Sequence, residues 1–183
     1  MKKKMIALTA ALVLVLSAAV VGTVAWLTDK TTAKVNTFTV GNIDIDLTET
    51  TTDYKMIPGE EIAKNPKVSV KAGSEACWLF VKVEESANLD DFISYTIADG
   101  WTELTGVAGV SGVYYRTVAA DATEREFSVL ANDKVTVKDT VTKADMDAIV
   151  NKTAAEPTLT FTAYAVQQAG FTDVAAAWTA AQA

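Results

Sequence analysis

The chain contains no histidine and a single cysteine, Cys77, so the side chains that carry most proton-transfer and metal chemistry are nearly absent. A zinc-hydrolase helix needs two histidines one turn apart with a glutamate as base. A serine or cysteine nucleophile needs an imidazole to take its proton. Neither can be assembled from these residues, and no catalytic residue, metal or cofactor is expected. What remains are carboxylates and aromatics: Asp44 and Asp46, Asp90 and Asp91, and Trp101, Tyr114 and Tyr115. Calcium would need about six to eight converging oxygens, and no EF-hand loop or glycine-aspartate repeat supplies them. Asp44 and Asp46 alternate with apolar residues and read as the polar face of a strand. The aromatics read as core or edge packing before sugar stacking. The clearest chemical site is a bond that another enzyme would cut, the Ala25–Trp26 peptide.

That bond is marked by the elements before it. Lys2, Lys3 and Lys4 lead an apolar run that ends in the small residues Gly22, Thr23, Val24 and Ala25, the pattern of a secretory signal peptide over residues 1–25. Cleavage after Ala25 would make Trp26 the mature N-terminus. The rival reading is an uncleaved anchor, since about 20 apolar residues suffice to span a bilayer. Removing the signal takes three lysines and no acid, so the formal charge moves from -7 to -10. Such a chain attracts neither nucleic acid nor an anionic membrane surface, and contact with a membrane is expected only through the signal segment before cleavage. The lone Cys77 cannot form an internal disulfide, and its distance from the cleavage site excludes a lipoprotein. It shares strand parity with Leu79, Val81 and Val83, so it reads as a small buried hydrophobe. Without a sortase-type motif or a second apolar span near residue 183, wall attachment is not expected.

Residues 36–183 fall within the size of one domain. Their period-2 segments, divided by turn residues, predict a mainly β chain: a jelly-roll-like antiparallel β-sandwich with one or two short helices, following the N-terminal signal helix. Strands are expected at residues 42–47, 67–71, 77–84, 93–97, 113–118, 126–130, 134–138 and 158–166. The pair 67–71 and 77–84 reads as a hairpin turning across residues 72–75. Pro58 and Gly59 mark a turn, residues 88–92 a loop or single helical turn, and residues 106–112 a flexible glycine-rich connection. Thr142 and Asp145 have the form of a capping box opening a helix. Phe171, Val174 and Trp178 sit at helical spacing in an alanine-rich tail expected to pack on the sheet.

Several of these segments together resemble the TasA/camelysin family of exported proteins of Gram-positive bacteria. The N-terminal block carries the most weight: the signal ending Gly22-Thr23-Val24-Ala25, followed by Trp26-Leu27-Thr28-Asp29, and then Asn36-Thr37-Phe38-Thr39-Val40-Gly41-Asn42-Ile43-Asp44-Ile45. Further along, Met56-Ile57-Pro58-Gly59-Glu60, Gly100-Trp101 with Val113-Tyr114-Tyr115-Arg116, and Ala163-Tyr164-Ala165-Val166-Gln167-Gln168 are similar to recurring family segments. The resemblance implies a jelly-roll fold, processing by a dedicated signal peptidase of the endoplasmic-reticulum type, and, as in the best-known members, biofilm-matrix fibres. Camelysin relatives have been classed as metallopeptidases, which the missing histidines argue against here.

Residues 26–35 then read as a flexible mature N-terminal segment, free to add as a donor strand to the edge of a neighbour. Trp26, Leu27, Val35 and Phe38 are its apolar groups for filling pockets and setting register. A head-to-tail contact of this kind does not close on itself and generates filaments. The expected function is a secreted structural protein of the extracellular matrix or cell surface, a fibre subunit or accessory partnered by itself or a related subunit. The alternative is a monomeric surface-associated binding module for a glycan, a protein or a divalent ion.

Overall fold

The computed structural model describes residues 41–51 and 54–183, all within the compact unit Val40–Ala183. The expected signal segment, the Ala25–Trp26 cleavage site and the donor residues Trp26, Leu27, Val35 and Phe38 lie outside the described residues. In order, the elements are β1 (Ile45–Thr48), β2 (Glu61–Ala63), β3 (Lys67–Val70), β4 (Cys77–Glu85), α1 (Leu89–Phe92), β5 (Ile93–Ser94), β6 (Thr102–Glu103) and β7 (Val113–Val118). They continue with β8 (Arg125–Ser128), a 3-10 turn (Ala131–Asp133), β9 (Lys134–Val137), α2 (Lys143–Val150), β10 (Leu159–Gln167) and α3 (Val174–Ala181). The protein is mainly β, with three antiparallel sheets ordered β1-β3-β8, β10-β4-β7-β6 and β2-β9-β5.

Parity along β4 sets the layers. Cys77, Leu79, Val81 and Val83 share one buried cluster with Val68 and Val70 of β3, so the first two sheets pack face to face as in a β-sandwich. Phe80 points the other way, into a cluster with Leu104, Val113, Ala177 and Trp178. With both faces covered, β4 reads as an almost unbroken apolar run. Each large side chain so buried contributes about 1.5–3 kcal/mol. Helix α3 provides the outer cover as expected. Asp173 caps it by accepting from the Ala175 amide at 2.9 Å, and Trp178 meets the ring of Phe80 at 5.2 Å and that of Tyr164 edge-on at 5.1 Å. The third sheet closes one end, where Ile62, Ile93, Val135 and Val137 join Leu89, Phe92 and Leu130.

Two expectations are corrected. Residues 67–71 and 77–84 do not form a hairpin: β3 pairs with β1 and β8, whereas β4 pairs with β10 and β7. The connection crosses between sheets because its backbone is tied to the first one, Lys71 N–H donating to Asp44, Gly73 to Asp121 and Glu75 to Asn42. Both strands need an apolar partner across the core, which each supplies to the other. The expected strand at 93–97 is also split: Ile93 and Ser94 pair with β9, and the rest turns to the end of β8 through the Ile97–Leu130 bridge. The capping box of α2 is present, Asp145 Oδ2 accepting from the Thr142 amide at 2.8 Å and Thr142 Oγ1 accepting from the Asp145 amide at 3.3 Å.

Candidate functional site

Strand β10 combines a regular, uncharged sequence with an edge left unpaired among the described residues. Its nine residues, Leu-Thr-Phe-Thr-Ala-Tyr-Ala-Val-Gln, include no charge, no proline and no glycine. It pairs with β4 in unbroken register from Leu159 opposite Glu85 to Gln167 opposite Cys77, without a bulge. Its other edge has no strand partner among the described residues. In an antiparallel ladder about half of its N–H and C=O groups then face away from β4. The inward side chains Leu159, Phe161, Ala163 and Ala165 pack on the same core as Ile43, Ile45 and Leu47. The edge of the second sheet therefore runs beside β1, the edge of the first.

The opposite side of the body ends in charge. Arg116 lies opposite Leu79 in the β4–β7 ladder and Arg125 opposite Val70 in the β3–β8 ladder; paired residues project to one face, so both arginines point inward. The Arg116 guanidinium sits 3.9 Å from the centre of the Phe127 ring and 5.4 Å from that of Trp101. Its Nε–H is shut off from solvent without a hydrogen-bond partner, and burial, reinforced by neighbouring Arg125, lowers its pKa. Sequence reading passed over both residues. The signal was available: Arg125, Phe127 and Val129 share parity, and two of the three are plainly apolar.

The residues singled out by type are mostly structural. Trp101 donates from Nε1 to the Ser128 carbonyl at 2.9 Å. Tyr114 packs against the core between the first two sheets, and Tyr115 against the cluster under α3. Burial first, then the Glu103 and Glu85 carboxylates, raise the Tyr114 pKa. Asp46 lies 3.8 Å from Lys71, and Asp90 pairs with Lys138 at 2.7 Å. Neither acidic pair joins a larger set, and among the described residues no three His, Cys, Asp or Glu converge as metal ligands. Cys77 is fully buried, and burial pushes its thiol pKa up, away from reactivity. Among the described residues no helix is long and apolar enough to cross a membrane. Compared with known protein families, characterised proteins and solved structures, the chain has no match.

Proposed function

We propose that this is a structural protein that assembles by strand addition, with no catalytic role. More particularly, it is a secreted, jelly-roll-like fibre subunit or fibre accessory of an extracellular matrix or cell surface, of the TasA/camelysin kind, freed by signal peptidase at Ala25–Trp26. The observation that carries this reading is β10: natural sheets rarely leave a long, straight, uncharged edge open unless something pairs with it. Residues 41 and 42 fix where the preceding segment joins the body. The Asn42 carbonyl accepts from Glu75 N–H, and the Ala76 carbonyl accepts from Gln168 N–H, so the chain enters beside the C-terminal end of β10. Fifteen preceding residues, 26–40, span about 50 Å when extended, ample for an edge of about 30 Å on a neighbouring copy. Main-chain hydrogen bonds supply the affinity, while Trp26, Leu27, Val35 and Phe38 anchor the register.

Electron microscopy of protein beginning at Trp26, beside protein beginning at Asn36, tests the reading. Filaments from the first and monomers from the second are expected. Filaments from the shortened chain, or none from either, overturn it.

A further inference from the structure

Away from the open edge, a cavity of about 480 Å³ lies between the third sheet, α2 and the start of β10. Aliphatic side chains, among them Ile62, Val135, Ile149 and Leu159, share its wall with polar Glu156 and Thr158, and its volume falls in the range of small-molecule sites. Two charged residues, Lys64 and Glu156, interrupt the aliphatic part of that wall. The Lys64 side chain is only 9% exposed and its Nζ is 2.7 Å from Glu49 Oε1. The same carboxylate accepts from the Tyr54 hydroxyl at 2.9 Å. Rings complete the surroundings, with Nζ 4.8 Å from the centre of Tyr54 and 5.4 Å from that of Phe161.

An ammonium has three N–H donors. Glu49 takes one, and no second hydrogen bond from Lys64 Nζ forms among the described residues. A buried ion pair is commonly no more stabilising than apolar residues of the same size, so packing alone gives no reason for this one. Its geometry does suit a ligand: a donor with capacity to spare sits at a cavity lined by both aliphatic and polar side chains. The pair is electroneutral, and Glu156 on the same wall adds a negative charge. A ligand anion would add a second uncompensated negative charge beside Glu156, and a ligand cation would lie beside the ammonium; both are costly where water is partly excluded. A neutral acceptor meets neither penalty.

We propose that this cavity binds a small neutral amphiphile, an apolar ring or chain bearing one hydroxyl or amide whose oxygen accepts from Lys64 Nζ. The assignment is independent of strand addition, because it uses the cavity wall and not the free edge of β10. The exported protein, titrated by NMR with cyclohexylmethanol, cyclohexanecarboxylate and cyclohexylmethylammonium, tests it with one ring and three head charges. The alcohol should give saturable shifts confined to residues lining the cavity, with an affinity at least about tenfold above either ion, the scale of one hydrogen bond to a charged group. Ile149→Trp, which fills the cavity from α2 without touching the ion pair, should abolish binding while the spectrum stays folded. The double change Lys64→Met with Glu49→Gln should keep the cavity and weaken the alcohol by about tenfold. No saturable shift, equal binding of alcohol and carboxylate, or binding that survives Ile149→Trp overturns the proposal.

Discussion

On one side the body ends in β10 and β1, and on the other in β7 and β8. Among the described residues both sides expose strand edges, because β10 and β1 have no outer strand and β6 pairs with β7 only at Tyr114 and Tyr115, leaving Arg116, Thr117 and Val118 without an outer neighbour. The two sides treat that exposure in opposite ways. β8 is four residues long and carries Arg125 and Glu126, and Arg116 and Arg125 project into the gap between the sheets. An added strand there would bury two like charges, and inward charge on a short edge is one of the ways natural sheets prevent pairing. β10 has none of these devices. Unguarded edges invite aggregation, and under the proposed strand addition the unguarded side is the one that takes a partner.

The largest effect should come from giving β10 the protection that β8 has. Thr160 is exposed and stands opposite Glu84, so Thr160→Lys fits the monomer and pairs with a carboxylate across the strand. On the free edge the same charge resists an incoming strand. Filament mass in protein starting at Trp26 should fall by about tenfold or more, with an unchanged melting temperature. Wild-type filament yield would mean that β10 is not the acceptor.

The converse experiment removes the guard. Arg116→Leu with Arg125→Leu replaces two inward cations by apolar groups beside Phe127 and Trp101, leaving β7 and β8 open and uncharged at their inner positions. In protein starting at Asn36, which lacks residues 26–35, sedimentation velocity should show a shift from monomer to oligomer. A monomer of normal stability would show that strand length alone keeps this edge unpaired.

Legibility in the sequence followed the distance over which each feature is encoded. Local features came through: the alternation of β10, the buried parity of Cys77 with Leu79, Val81 and Val83, the Thr142 and Asp145 box, and the Phe171, Val174 and Trp178 stripe are each fixed by neighbours within a few residues. Sheet membership did not. Val68 and Val70 look the same along the chain whether they hydrogen-bond to β4 or face it across a core, and the hairpin expectation failed on that ambiguity. Arg116 and Lys64 were missed for a related reason. A cation in an apolar-parity position becomes informative only once Phe127, Trp101, Glu49 or Tyr54 is known to surround it, and those contacts come from separate strands and loops.

A smaller effect separates rigidity from charge as the basis of the contrast. Gly112, which leads into β7, has φ +65°, and a Cβ there would lie 2.4 Å from the Val83 carbonyl oxygen. That oxygen belongs to the β4 backbone and cannot swing aside. Gly112→Ala should cost about 1–3 kcal/mol, seen as a drop of several degrees in Tm. Filament formation at equal folded concentration should not change, because the glycine stands at the far edge from β10. Lost assembly without lost stability would couple the two sides.

The smallest expected effect is in pH. Near Arg125, the hydrogen bond from Lys71 holds the Glu124 carboxyl below its ordinary value of 4.5, and the amide and hydroxyl of Thr123 hold Asp121 below 3.8. A carboxylate depressed in the folded state contributes stability above its unfolded pKa, and that contribution is lost as pH falls through the folded value. The Tm of the Asn36 protein should therefore decline from about pH 5 towards about pH 3. Asp121→Asn with Glu124→Gln should flatten that decline in part, since Asp145 in the cap of α2 is also depressed, by Thr142, and titrates in the same window. Both exposed carboxylates lie on the charged side of the body, while β10 itself carries no acidic or basic side chain that titrates in this window. Strand addition measured above that window should consequently be indifferent to pH, and a filament yield that followed the two carboxylates would place the assembling edge on the β8 side instead.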